Sequence, residues 1–359
     1  MQKFTHLFTP WNLHGFPIQN RICVPPLVIY TWSDDTGRVT DKHIAHYRAL
    51  TTGGAGLVIQ EATCVCREGR LTLDQLGIWE DGQKDGLRRI RDILKQAGMP
   101  AIVQLSHAGI LAARPEDRVC PSDYTCEVGG IPRSGRGLTV EEIHRIEQQF
   151  IDAARRAYEI GYDGIELHAS HGYLLSEFMN TRMNQRTDEY NPKDNLILYN
   201  IIQGIRRVTS PDFLIGVRLG IFEPTLSVGI ANAKWLESLG VAFIDAFYGC
   251  DWDADLELPE GYPFNSSIYG AKRVKQEVSI PVFTVYQIGT GEQAEAILQD
   301  TGVDMVVIGR GSLVNYQWGN DVKAGRNPGS CRNCTLCQWK VAPDRCPGRL
   351  ALEQERNNA

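Results

Sequence analysis

The feature that most constrains this chain is a set of short, β-branched apolar runs, each followed by an amphipathic stretch. The runs are Arg21–Leu27, Gly56–Ala62, Ala101–Ser106, Gly164–His168, Phe213–Leu219, Phe243–Phe247, Pro281–Val285 and Asp304–Gly309. Near-continuous apolarity over so few residues marks strands buried on both faces, the pattern of a parallel sheet covered by helices. Helical periodicity fills the gaps, from about Asp41 and over Asp81–Ala97, Thr139–Ile160, Lys193–Val208, Leu226–Leu239, Ser267–Glu277 and Gly291–Asp300. The third of these opens on Thr139-Val140-Glu141-Glu142, a capping box. Eight strand–helix units are the number that closes a barrel, so the expected fold is α/β, a (β/α)8 barrel of the TIM type. An open doubly wound sheet is the alternative, but no GxGxxG or Walker pattern follows any of these strands. Turn signals at His14-Gly15 and Pro17 predict an N-terminal hairpin against the barrel floor. The barrel is expected over residues 1–329, with residues 330–359 as a Cys-rich extension.

Composition narrows the function class. A net charge of −6, with positive residues scattered, gives no surface for nucleic acid. No apolar run reaches membrane-spanning length and none follows Met1, so the expected location is the cytoplasm. Four of the ten cysteines, Cys331, Cys334, Cys337 and Cys346, crowd the C-terminus. Clustered cysteines without a secretion signal read as metal or redox sites rather than disulfides.

Barrel active sites gather at the C-terminal ends of the strands. Those ends carry Tyr30, Glu61, Gln104, His107, His168, His171, Tyr173, Arg218, Tyr248 and Arg310, an unusually polar set after apolar runs. Alternation puts Glu166 and His168 on one strand face, and His171 and Tyr173 follow around Gly172. Two imidazoles and a phenol so placed suit hydrogen bonding to one carbonyl oxygen and proton delivery beside it. Satisfied structural histidines and a zinc site are the alternatives, although no carboxylate is placed as a third ligand. Ile288-Gly289-Thr290-Gly291 and Gly309-Arg310-Gly311 follow the last two strands, where such barrels hold phosphate. Arg218 ends an apolar strand and needs an anionic partner, either a ligand or a structural ion pair.

The run His168-Ala169-Ser170-His171-Gly172-Tyr173-Leu174-Leu175-Ser176-Glu177-Phe178, continued by Asn184-Gln185-Arg186-Thr187-Asp188-Glu189-Tyr190, resembles the signature of the Old Yellow Enzyme family of flavin oxidoreductases. Gln104-Leu105-Ser106-His107-Ala108-Gly109, Gly216-Val217-Arg218-Leu219 and Ile308-Gly309-Arg310 extend the resemblance over about residues 5–325. It implies an FMN-dependent enzyme that uses NAD(P)H to reduce the C=C bond of small α,β-unsaturated carbonyl compounds. By the resemblance, Pro26, Val28, Ala62, Gln104 and Arg218 surround the flavin, while Gln287, Gly289, Gly309 and Arg310 lie around its phosphate end. His168 and His171 bind the substrate carbonyl, Tyr173 is the proton donor, and Tyr30 is a second substrate-contacting tyrosine. A homo-oligomer is compatible with this reading, and no membrane or nucleic-acid partner is expected.

The sequence departs from the family pattern at three places. Val28 stands where relatives carry a hydrogen-bonding Thr or Cys, Tyr286-Gln287 replaces a glycine pair, and Ile110 replaces the arginine after His107-Ala108-Gly109. The local turn at Tyr286-Gln287 is therefore expected to differ. Cys331-x2-Cys334-x2-Cys337-x8-Cys346 falls where one branch of the family holds a [4Fe–4S] cluster, but the spacing differs from that branch's. A cluster, a structural zinc and plain thiols all remain open. Flavin-dependent amine dehydrogenation, with Tyr248 and Trp252 forming a cation cage, and a non-redox phosphate-binding lyase are the competing functions.

Overall fold

In the computed structural model, which describes residues 4–249 and 256–358, the eight runs form one closed parallel barrel. Its strands are β1 (Ile22–Val24), β2 (Leu57–Cys64), β3 (Ile102–Ser106), β4 (Gly164–Ala169), β5 (Leu214–Gly220), β6 (Phe243–Phe247), β7 (Val282–Val285) and β8 (Met305–Val307). The order around the barrel follows the chain, with β8 returning to β1 through Val307 opposite Cys23. Each crossover thus runs the same way, and the helices cover the outside.

Apolar side chains fill the outer layer between strands and helices. The helix Val140–Glu159 begins with the expected box, in which the Glu142 amide donates to Thr139 Oγ1 and the Thr139 amide to Glu142. It buries Ile143, Ile146, Phe150 and Ala154 against the barrel. Trp11–Leu13 and Phe16–Ile18 pair as the predicted hairpin, and Leu13 and Ile18 close the floor against Leu57, Ile102, Phe243 and Phe283. Burying one such side chain contributes roughly 1.5–3 kcal/mol.

Three elements differ from the sequence reading. The first strand stops at Val24 instead of Leu27, because Pro25 and Pro26 lack the N–H that a ladder needs. The loop after β3 contains a three-stranded sheet of Val119–Cys120, Tyr124–Val128 and Ile131–Gly137. Its longest strand is largely exposed, and the sheet places apolar side chains in a small cluster around Ile110, Cys120 and Met183. The last strand ends at Val307, and Arg310–Val314 follows as a short helix. After the barrel, residues 330–358 fold back over its mouth. Trp339 is their anchor, buried among Ile29, Leu313 and Val314. Among the described residues, no helix is long and apolar enough to cross a membrane.

Candidate active site

Parallel register builds the site in layers. Gln104 on β3 lies opposite Glu166 on β4, and one layer higher Arg218 on β5 lies between His168 on β4 and Asp245 on β6. The Gln104 amide nitrogen donates to Glu166 Oε1 at 2.6 Å, while Gln104 Oε1 is buried with no partner among the described residues. Arg218 Nε stands 3.5 Å from Asp245 Oδ2 and makes no hydrogen bond itself. Burial raises the pKa of both carboxyls, and the Arg218 guanidinium opposes the rise. One cation cannot neutralise two buried carboxylates, so the layer favours one ionised partner of Arg218 and one protonated acid. The ion-pair alternative for Arg218 therefore holds, with Asp245 as the partner. Asp245 escaped the sequence reading, although a lone carboxylate in Phe243-Ile244-Asp245-Ala246-Phe247 gives the same signal as Arg218.

Above this layer the chain leaves β4 through His171 and Gly172, both left-handed at φ 61° and 67°. Glycine adopts this conformation freely, but for His171 it is a strained position of the kind that collects at functional sites. The kink returns the His171 ring over the strand end, with His171 Nδ1 2.9 Å from His168 Nε2. Tyr173 packs edge-on to His168, with ring centres 4.6 Å apart. Burial, reinforced by Arg218, holds both imidazoles well below the usual histidine range, so they are neutral at physiological pH. Burial also raises the Tyr173 phenol, which interacts electrostatically with Tyr30.

A cavity of about 1080 Å³ opens beside these groups. Its wall includes His171, Arg218, Gln287, Gly289, Gly309 and Arg310, so six of the residues expected to hold flavin or substrate meet at one space. From the segment after β1 the wall takes Pro25 and Leu27, and the expected Pro26 and Val28 are not among its lining residues. Ala62 and Gln104 are buried below it. Tyr286 and Gln287 both have positive φ, at 118° and 56°, a backbone region that favours glycine. Ile110 is buried with Cys120 and Met183, an apolar contact that a charge would disrupt.

The residues fit FMN. The cavity has cofactor size, Gln104 Oε1 and Arg218 Nε are unsatisfied polar atoms beneath it, and Arg310 stands at its rim. Gly289 and Gly309 add no side chain to the wall. The cysteine quartet is different. Cys331 lines the cavity and Cys346 is buried, but among the described residues no three His, Cys, Asp or Glu side chains converge as a metal site. As arranged, Cys331, Cys334, Cys337 and Cys346 do not fit a cluster or zinc. Trp252, invoked for a cation cage, lies outside the described residues. The sequence reading also missed Asn333 and Lys340, which line the cavity from the C-terminal segment.

Comparison with known proteins places this geometry. The NADH:flavin oxidoreductase / NADH oxidase family matches residues 6–328. The NADPH dehydrogenase of Geobacillus sp. (strain WCH70) is 33% identical over 322 residues, covering 88% of this chain and 92% of that protein. That of Bacillus velezensis (strain DSM 23117 / BGSC 10A6 / LMG 26770 / FZB42) is 33% identical over 310 residues, covering 85% and 90%. Among solved structures, the old yellow enzyme homologue of Zymomonas mobilis superposes with a TM-score of 0.71 at 26% identity, covering 88% and 92%. A 2-naphthoyl-CoA reductase shares the fold with a TM-score of 0.80 at 22% identity; the match covers 90% of this chain but only 52% of that one.

Proposed function

Because this chain belongs to the NADH:flavin oxidoreductase / NADH oxidase family and is an FMN-dependent oxidoreductase, we propose that it uses NAD(P)H to reduce the C=C bond of α,β-unsaturated carbonyl compounds. The observation that carries the proposal is the clustering of His168, His171 and Tyr173, with His171 in the cavity wall. FMN, when bound, supplies reversible hydride transfer between the nicotinamide and the alkene.

The side chains do the rest. A carbonyl oxygen that displaces the contact between His168 Nε2 and His171 Nδ1 takes a hydrogen bond from each, with each ring carrying its proton on that nitrogen. Neutral imidazoles suit this role, since they stabilise enolate-like charge without surrendering a proton to it. Tyr173 holds its proton at neutral pH because burial raises its pKa, and it delivers that proton to the α-carbon. Gln104 orients the pyrimidine edge of the flavin. Arg218 places positive charge where the reduced ring is negative, Asp245 fixes the guanidinium, and Arg310 binds the phosphate.

The test is spectroscopic. Purified protein is reduced anaerobically with NADH or NADPH, then mixed with enones, enoates and nitroalkenes. Rapid reoxidation by enones or enoates with formation of the saturated product supports the proposal. Reoxidation by dioxygen alone, or product reduced at the carbonyl, contradicts it.

A further inference from the structure

The cavity is lined by Arg218, Arg310 and Lys340, and among the described residues no Asp or Glu lines it. Two of these cations are accounted for. Arg218 is paired with Asp245, and Arg310 lies at the phosphate end, bonded to Asn333. Lys340 has no such match. Its ammonium donates to Tyr30 Oη at 3.1 Å and lies 4.1 Å from the centre of the same ring. Among the described residues it meets no carboxylate within ion-pairing distance. An ammonium has three donors, and here a phenol takes one.

The position is built rather than accidental. Trp339, next in the chain, is 3% exposed, with its ring centre 5.7 Å from that of Trp32 and 5.6 Å from that of His46. This packing fixes the short helix Gln338–Val341 and aims Lys340 at the cavity. Tyr30, which it grips, is near enough to Tyr173 to interact with it electrostatically, and this ties the Lys340 ammonium to the substrate side of the cavity.

We propose that Lys340, held on Tyr30, binds a carboxylate of the substrate that is separate from the carbonyl taken by His168 and His171. The inference rests on the alkene-reduction reading and narrows it to alkenes that also bear a carboxylate. Such a contact is charge-assisted but partly solvated, which makes it worth about tenfold in affinity.

The experiment titrates oxidised, FMN-loaded protein with trans-4-oxo-4-phenylbut-2-enoate and with its primary amide, reading each Kd from the perturbed flavin absorbance. Wild type is expected to prefer the acid, and rising ionic strength to erode that preference. Lys340→Met should lower the amide-to-acid Kd ratio about tenfold, and Lys340→Arg should keep it within threefold of wild type. A ratio unchanged within twofold in Lys340→Met overturns the inference alone, whether or not FMN retention or the choice between NADPH and NADH shifts instead. If neither compound perturbs the flavin, the alkene-reduction reading fails and takes this inference with it.

Discussion

Removal of Arg218 tests the buried charge layer quantitatively. In Arg218→Met, Asp245 loses the one cation beside it among the described residues and stays sealed inside the barrel, where burial already raises its pKa. The carboxyl then takes up a proton that an unfolded aspartate, with a pKa of about 3.9, gives up. At pH 7 that uptake costs about 4 kcal/mol, from roughly 1.4 kcal/mol for each of about three pH units. The folded state binds the extra proton, so stability falls as pH rises, and the penalty shrinks to about 1.5 kcal/mol at pH 5. The assay is urea unfolding of wild type, Arg218→Met and Arg218→Met/Asp245→Asn at pH 5, 6 and 7 with saturating FMN. Relative to wild type, the single variant should lose about 1.4 kcal/mol more per pH unit, and the double variant should lose that slope. Glu166 is the protonated acid of the layer in all three proteins, so its contribution cancels. Parallel pH dependences for the single variant and wild type would refute the reasoning, because Asp245 would then not depend on Arg218 for its charge.

Other outcomes follow from single sites. Burial pushes the Glu61 carboxyl up to about 8, so it is protonated in the folded protein at pH 7 and lowers stability as pH rises from the unfolded value toward 8. Glu61→Gln is expected to flatten the pH dependence of the urea midpoint between pH 5 and 8, and an unchanged profile would count against a buried neutral acid. Trp339→Ala deletes the anchor of the C-terminal segment, a loss of about 3–5 kcal/mol at a buried aromatic. Limited proteolysis should then cut within residues 330–345 well before the barrel, and equal resistance in variant and wild type would argue against the anchoring role.

Most of the barrel was legible because parallel strands buried on both faces need uninterrupted apolar runs, and that need leaves a mark in every strand. Where pairing does not depend on burial the mark fades. The sheet of residues 119–137 holds itself by backbone bonds at the surface, with strand Ile131–Gly137 largely exposed, and so reads as loop. The candidate site divides the same way. His168, His171 and Tyr173 lie within six residues, so their proximity is written in the chain. Asp245 is marked locally as a lone charge in an apolar strand, but its pairing with Arg218 comes from barrel register. Lys340 arrives on the returning C-terminal segment, a relation that no local pattern encodes. Conversely, the spacing of Cys331, Cys334, Cys337 and Cys346 suggested a ligand set, whereas the segment's packing is organised around Trp339. At Tyr286-Gln287, residue identity gives no sign of the left-handed backbone that both residues adopt.

The central claim is that Tyr173 protonates an alkene whose carbonyl is held by His168 and His171. Anaerobic stopped-flow measurement of the two half-reactions, in wild type and Tyr173→Phe, tests it most directly. Reduction of the enzyme by NADPH should stay within about threefold of wild type, while reoxidation by 2-cyclohexenone should slow by roughly 10²–10⁴-fold, the range for loss of a general acid. Reoxidation at the wild-type rate, or equal slowing of both half-reactions, would contradict the account.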